Sequence, residues 1–95
     1  MELEIKHDTY NQNFFTILDS KEAYLKYIIT GEKTINMIKT YVPPELRGKG
    51  IAAKVVQAGL LFAQKNNYKV IPTCSYVDTY IEQHPEFSDL LLTGY

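Results

Sequence analysis

The chain's 95 residues suffice for one hydrophobic core and not for two, so a single domain spanning residues 1–95 is expected, with a shallow active site. Hydrophobic residues make up 45% and charged residues 22%, ordinary for a soluble globular protein, and a net charge of -1 gives no broad field to attract nucleic acid or anionic lipid. One cysteine excludes an internal disulfide, and with no signal-like opening and no apolar run of membrane-spanning length the expected compartment is the cytoplasm, without membrane or nucleic-acid partners.

Leu3, Ile5 and His7 alternate with Glu2, Glu4 and Lys6, which predicts a first strand, and Asn11-Gln12-Asn13 turns the chain into a second over Phe14 to Leu18. Asp19-Ser20-Lys21 turns it again into Glu22 to Thr30, where Ala23, Leu25, Tyr27 and Ile29 share one face. After Gly31-Glu32, a fourth strand is expected over Lys33 to Val42. Simple alternation puts Ile35, Met37, Lys39 and Tyr41 on one side of it and Asn36, Ile38, Thr40 and Val42 on the other. Four strands with short turns make an antiparallel meander.

Pro43-Pro44 ends the fourth strand, and Glu45-Leu46-Arg47-Gly48-Lys49-Gly50-Ile51-Ala52 leads into an apolar segment with helical spacing. Ile51, Val55, Gly59 and Phe62 fall in one stripe beside Ala52, Val56, Leu60 and Ala63, and Lys54, Gln57, Gln64 and Lys65 take the opposite side. Two glycines spaced by one residue let the backbone approach a ligand closely. The unpaired amides and positive dipole end of a helix N-terminus favour phosphate, and Arg47 and Lys49 add mobile positive charge. The turn is neither of the commonest phosphate loops. It has two glycines where the dinucleotide fingerprint has three, and Gly48-Lys49 is followed by Gly50 where a Walker loop has serine or threonine. Read without a ligand, it is a glycine-rich turn carrying solvated cations.

Asn66-Asn67 provides a helix stop, and Lys69 to Cys74 reads as a fifth strand joined to the fourth by the crossover helix and therefore parallel to it. Pro72 removes one ladder hydrogen bond, which places this strand at an edge or splays it from its neighbour. Tyr76, Val77, Tyr80 and Ile81 fall at helical spacing over Ser75 to Gln83, and His84-Pro85 stops that last helix.

Arg47, Gly50 and Ala52 match the Q/R-x-x-G-x-G/A signature of the GNAT acyltransferases, whose loop cradles the pyrophosphate of acetyl-coenzyme A. Tyr41 to Gly50, then Ile71-Pro72-Thr73-Cys74-Ser75-Tyr76-Val77, Tyr80-Ile81 and His84-Pro85-Glu86 resemble the small, stand-alone YjdJ-type subgroup of GNAT-like N-acetyltransferases. The likeness covers nearly the whole chain. It implies an α/β (α+β) minimal GNAT fold, truncated by the first two helices and the final strands with which larger members build an acceptor pocket. It also implies acetyl-CoA as co-substrate, held by Arg47, Gly48, Lys49, Gly50, Ile51 and Ala52, with backbone donors near Tyr41 and Val42 for the thioester carbonyl. In that fold the fourth and fifth strands splay, and the pantetheine arm pairs with strand four. Members often carry a histidine just before the threonine of strand four, where this chain has Lys39 before Thr40.

Transfer to an amine needs a positioned neutral nucleophile, donors for the oxyanion and an acid for the departing thiolate. Cys74, at the end of strand five, is the candidate to accept the acetyl group or protonate the leaving thiolate, unless it is simply a small buried hydrophobe. The resemblance implies a tyrosine general acid in the region of Tyr76 and Tyr80 on the last helix; Tyr80 is the candidate by distance, against a default of packing. Lys39 is either a solvated lysine or an amine near the thioester. His7 and His84 have no companion at metal-ligand spacing, so no metal site is expected. The leading expectation is an N-acetyltransferase with an unidentified amine or protein acceptor. The alternative is a CoA-binding or protein-interaction module with little turnover.

Overall fold

Asp19 and Ser20 both adopt positive φ, 54° and 62°, and so close a two-residue hairpin turn in which Leu18 pairs with Lys21. That turn fixes the register of β2 (Asn13–Leu18) against β3 (Lys21–Ile29) along its length. The computed structural model describes residues 3–92. Their sheet has the order β1 (Lys6–Asp8), β2, β3, β4 (Thr34–Tyr41), β5 (Lys69–Ile71). The first four strands are antiparallel, and α1 (Ile51–Lys65) carries the chain across to β5, which runs parallel to β4. A second helix, α2 (Ser75–Gln83), follows β5. The fold is therefore the mixed α/β arrangement that the order of sequence patterns predicts.

The core lies on one face of the sheet. Leu25, Ile35 and Met37 from the strands meet Val55, Val56 and Leu60 of α1, all completely buried, and Val77 and Ile81 of α2 join the same cluster. Each such side chain contributes about 1.5–3 kcal/mol by leaving water. Gly59 permits this closeness: a Cβ there would stand 2.6 Å from Leu25 Cδ2 and 3.3 Å from Met37 Cε. The apolar stripe of α1 thus rests directly on β3 and β4.

β1 is shorter than the alternation from Leu3 suggests. His7 fastens it by stacking on Phe14 at 4.0 Å, meeting the edge of Phe62 at 4.6 Å and placing Nε2 2.5 Å from the Tyr27 hydroxyl. Burial holds this imidazole below its usual range, with Asp8 pulling weakly the other way.

Three features depart from the sequence reading. β5 stops at Ile71 rather than reaching Cys74, because Pro72 lacks the N–H that would extend the ladder. After His84-Pro85 the chain does not simply end its helical structure. A 3-10 helix over Pro85–Leu90 packs Phe87 and Leu90 into the core, and Leu91 bridges Val70 along the far edge of β5.

The third departure reverses the outer half of β4. Tyr27 pairs with Met37 and Lys26 with Lys39, so Ile38 is an extra residue in a β-bulge. Beyond it Thr40 lies opposite Leu25, on the core side, and Tyr41 lies opposite Tyr24, on the outer side. Lys39 and Tyr41 therefore do not share a face with Ile35 and Met37, as simple alternation predicts, and Thr40 does.

Candidate active site

Strands β4 and β5 pair only from Thr34–Lys69 to Asn36–Ile71, after which β4 runs on to Tyr41 and the other chain turns away into α2. One backbone bond follows the divergence, from the Cys74 amide to the Met37 carbonyl at 2.9 Å. The Thr73 hydroxyl donates to Asn36 Oδ1 at 2.5 Å on the same rim. A gap between the two strands results, with Cys74 at its head.

The turn after β4 is anchored before it is shaped. Leu46, in a 3-10 turn over Pro44–Leu46, buries its side chain with Ala23 and Ile51 in a second small cluster, and Arg47 Nε donates to the Val42 carbonyl at 2.9 Å. Gly48 and Gly50 then take φ values of 82° and 76°. A Cβ at either position would meet nothing within 4 Å, so the left-handed backbone, not crowding, requires glycine here. Gly50 is the N-cap of α1 and has no side chain to satisfy the first-turn amides, and no acidic residue occupies that turn. The positive end of α1 is left open.

A cleft of about 380 Å³ lies against this end. Thr40, Tyr41 and Val42 from the end of β4 form one wall, Leu46, Arg47, Gly48, Gly50, Ile51 and Ala52 another, and Tyr76 of α2 the third. Of the second sequence segment singled out above only Tyr76 borders the cleft; Cys74 does not, and adjoins it through Thr40. Lys49 is exposed on the turn and does not border the cleft.

Cys74 is half-buried at the N-cap of α2, with Sγ 3.4 Å from Thr40 Oγ1. Burial pushes this thiol up, but the Thr40 hydroxyl and the amides of Val77, Tyr76 and Thr40 more than offset it, so the thiol ionises below its usual range. Tyr80 is 7% exposed, its ring stacked on His84 at 3.9 Å, and it does not border the cleft. Tyr76, one turn earlier and 40% exposed, does. Burial raises the pKa of both phenols, so both stay protonated at neutral pH. Residues four apart on a helix share a face, so spacing alone does not tell which of the two reaches the cleft. The resemblance marks Thr40 as the threonine of strand four, but alternation puts it on the wrong face; only the bulge turns it toward Cys74.

A mixed sheet whose fourth and fifth strands part beside a glycine-rich helix N-terminus defines a GNAT-type acyltransferase fold. The family model of the GCN5-related N-acetyltransferases matches residues 13–90, and the chain belongs to that family. It is similar to Protein NATD1 of Xenopus tropicalis, 31% identical over 85 residues that cover 87% of this chain and 78% of the relative. It is also similar to Protein NATD1 of Homo sapiens, 29% identical over 85 residues, covering 87% and 75%. The solution structure of a GCN5-like protein from Staphylococcus aureus superposes with a TM-score of 0.75 at 29% identity, covering 98% of this chain and 91% of that one.

Proposed function

We propose that the protein binds acetyl-CoA in the cleft and transfers its acetyl group to an amine by way of Cys74. The observation that carries the reading is the cleft itself, which joins the open N-terminus of α1 to the unpaired end of β4. Membership of the GCN5-related family supports the choice of ligand.

In this reading the pyrophosphate lies on the first-turn amides of α1 with Arg47 beside it, and the pantetheine amides add to the free edge of β4 as a further strand would. The thioester then reaches the Thr40–Cys74 pair. A thiolate favoured by its surroundings suits a nucleophile better than a proton donor, so the covalent role of Cys74 is the stronger of its two candidate roles. Its sulfur attacks the thioester carbonyl, and the bond from that carbon to the coenzyme's sulfur breaks. The coenzyme A thiolate leaves and takes a proton from Tyr76 or solvent. The acceptor amine next attacks the S-acetyl carbon, the carbon–sulfur bond to Cys74 breaks to return its thiolate, and the proton lost as the amide forms goes to the Tyr76 phenolate or to solvent. Tyr76, which borders the cleft, takes the acid role for which Tyr80 is the candidate from sequence. Tyr80 then serves to seat α2.

A CoA-binding or protein-interaction module with little or no turnover is the second reading, favoured by helices that, among the described residues, pack on one face of the sheet only. Titration of labelled protein with acetyl-CoA, followed by intact mass, separates the two. Amide shifts at residues 47–52 with one acetyl group on Cys74, lost in Cys74→Ala, are the expected result. Shifts without an acetyl adduct put the binding module first, and no shifts at the turn refute both.

A further inference from the structure

The sheet's outer face, away from α1 and α2, carries Phe15, Tyr24 and Tyr41 in one cross-strand row and Asn13, Lys26 and Lys39 in the next. The Tyr24 and Tyr41 rings lie 5.7 Å apart, and Ile17 and Ile28 flank the two rows with 58% and 41% exposure. Like charges directly opposite on neighbouring strands repel, yet Lys26 and Lys39 occupy such a pair. Their ammonium groups meet neutral partners, the Asn11 carbonyl for Lys26 and the Tyr41 ring, 5.9 Å to its centroid, for Lys39. Of the acids on this face, Glu22 is opposite Ile17 at one end, and Asp8 heads the lysine row on the edge strand, opposite Asn13, where Asn11 donates to both of its carboxylate oxygens. A chain of net charge -1 thus keeps a positive, aromatic centre on this face.

Its position matters. Lys39 belongs to the part of β4 that has left β5 behind, and its neighbour Thr40 touches Cys74 on the other side of the sheet. Lys39 therefore borders the β4–β5 gap from the face opposite Thr40, with Lys26 one strand further away, and Tyr41 of the same face also lines the cleft. The surface is a sheet face and not a concavity, so it suits a macromolecular segment better than a small metabolite.

We propose that this face docks an acidic segment of a protein acceptor, with carboxylates over Lys26 and Lys39, an apolar side chain on Tyr24 and Tyr41, and the acceptor amine led into the gap at Cys74. The inference rests on the acyl-transfer reading and names its substrate class.

The test uses two peptides of equal length, each with one central lysine and one phenylalanine, flanked in one by glutamates and in the other by arginines. The glutamate peptide is expected to shift the amides of Tyr24, Lys26, Lys39 and Tyr41, to weaken as ionic strength rises, and to bind at least about fivefold tighter than the arginine peptide. Lys26→Glu/Lys39→Glu, both exposed changes, should invert that preference while the coenzyme A shifts at residues 47–52 stay as they are. Equal binding of both peptides, shifts on another surface, or a dimer in analytical ultracentrifugation that seats Glu22 against Lys26 of a second copy would overturn it. Failure of the cofactor reading registers separately, as absent coenzyme A shifts, because the peptide response is read without cofactor.

Discussion

The Thr40 hydroxyl and the Cys74 sulfur, 3.4 Å apart, join the end of β4 to the start of α2 across the place where the sheet opens. The bulge at Ile38 makes the contact possible by turning Thr40 to the core side. Because the hydroxyl stabilises the thiolate, Thr40→Val should move the pH profile of Cys74 alkylation to higher pH and slow the reaction several-fold at neutral pH. Iodoacetamide labelling followed by mass measurement reads it. An unchanged profile would mean the helix amides alone set the thiol's acidity.

Arg47 offers its remaining guanidinium donors to the cleft while Nε holds the Val42 carbonyl. Arg47→Ala should weaken coenzyme A binding by about tenfold, the scale of one charge-assisted hydrogen bond. Lys49→Ala, outside the cleft wall, should cost less. Calorimetric titration of both variants ranks them, and equal losses would argue for a field effect of the whole turn.

Gly50→Val combines two costs. The backbone φ of 76° penalises any β-branched residue, about 1–2 kcal/mol for a side chain in the left-handed region, and the new methyls would enter the proposed phosphate position. The variant should stay folded, because a Cβ there meets no protein atom, and should lose coenzyme A binding. Retained binding would remove the turn from the site.

Gly59→Val tests the packing of α1 on the sheet. With Leu25 and Met37 wholly buried beneath it, the added side chain should destabilise the fold by about 1–3 kcal/mol in denaturant titration.

His7 gives the fold a pH dependence with a defined sign. An unfolded histidine takes up its proton near pH 6.5, whereas the folded one, kept neutral by burial, takes it up only at lower pH. Stability is therefore at its full value above about pH 6.5 and falls as the pH drops below it, levelling once the folded imidazole is also charged. His7→Phe should flatten the melting temperature across that window, and a slope that persists would assign it to other groups.

Local chemistry alone determined much of this protein. Asp19-Ser20 closes its hairpin, the alternation of Phe14 to Leu18 and of Ala23 to Tyr27 marks two strands, the stripe from Ile51 to Ala63 makes the crossover helix, and Gly48 and Gly50 mark the turn at its head. Each of these rests on a backbone preference or a spacing within a few residues, which is why a sequence displays it. Tertiary structure alone decided which face of β4 carries Thr40 and which carries Lys39. A bulge is a property of two paired strands, and the extra residue at Ile38 is defined only by Lys26 and Tyr27 opposite. The same holds for Tyr76 at the cleft with Tyr80 in the core, and for the 3-10 helix that returns Phe87 and Leu90 to the sheet. Helical spacing selects a face but not its neighbour, and that neighbour is supplied by strands from distant parts of the chain.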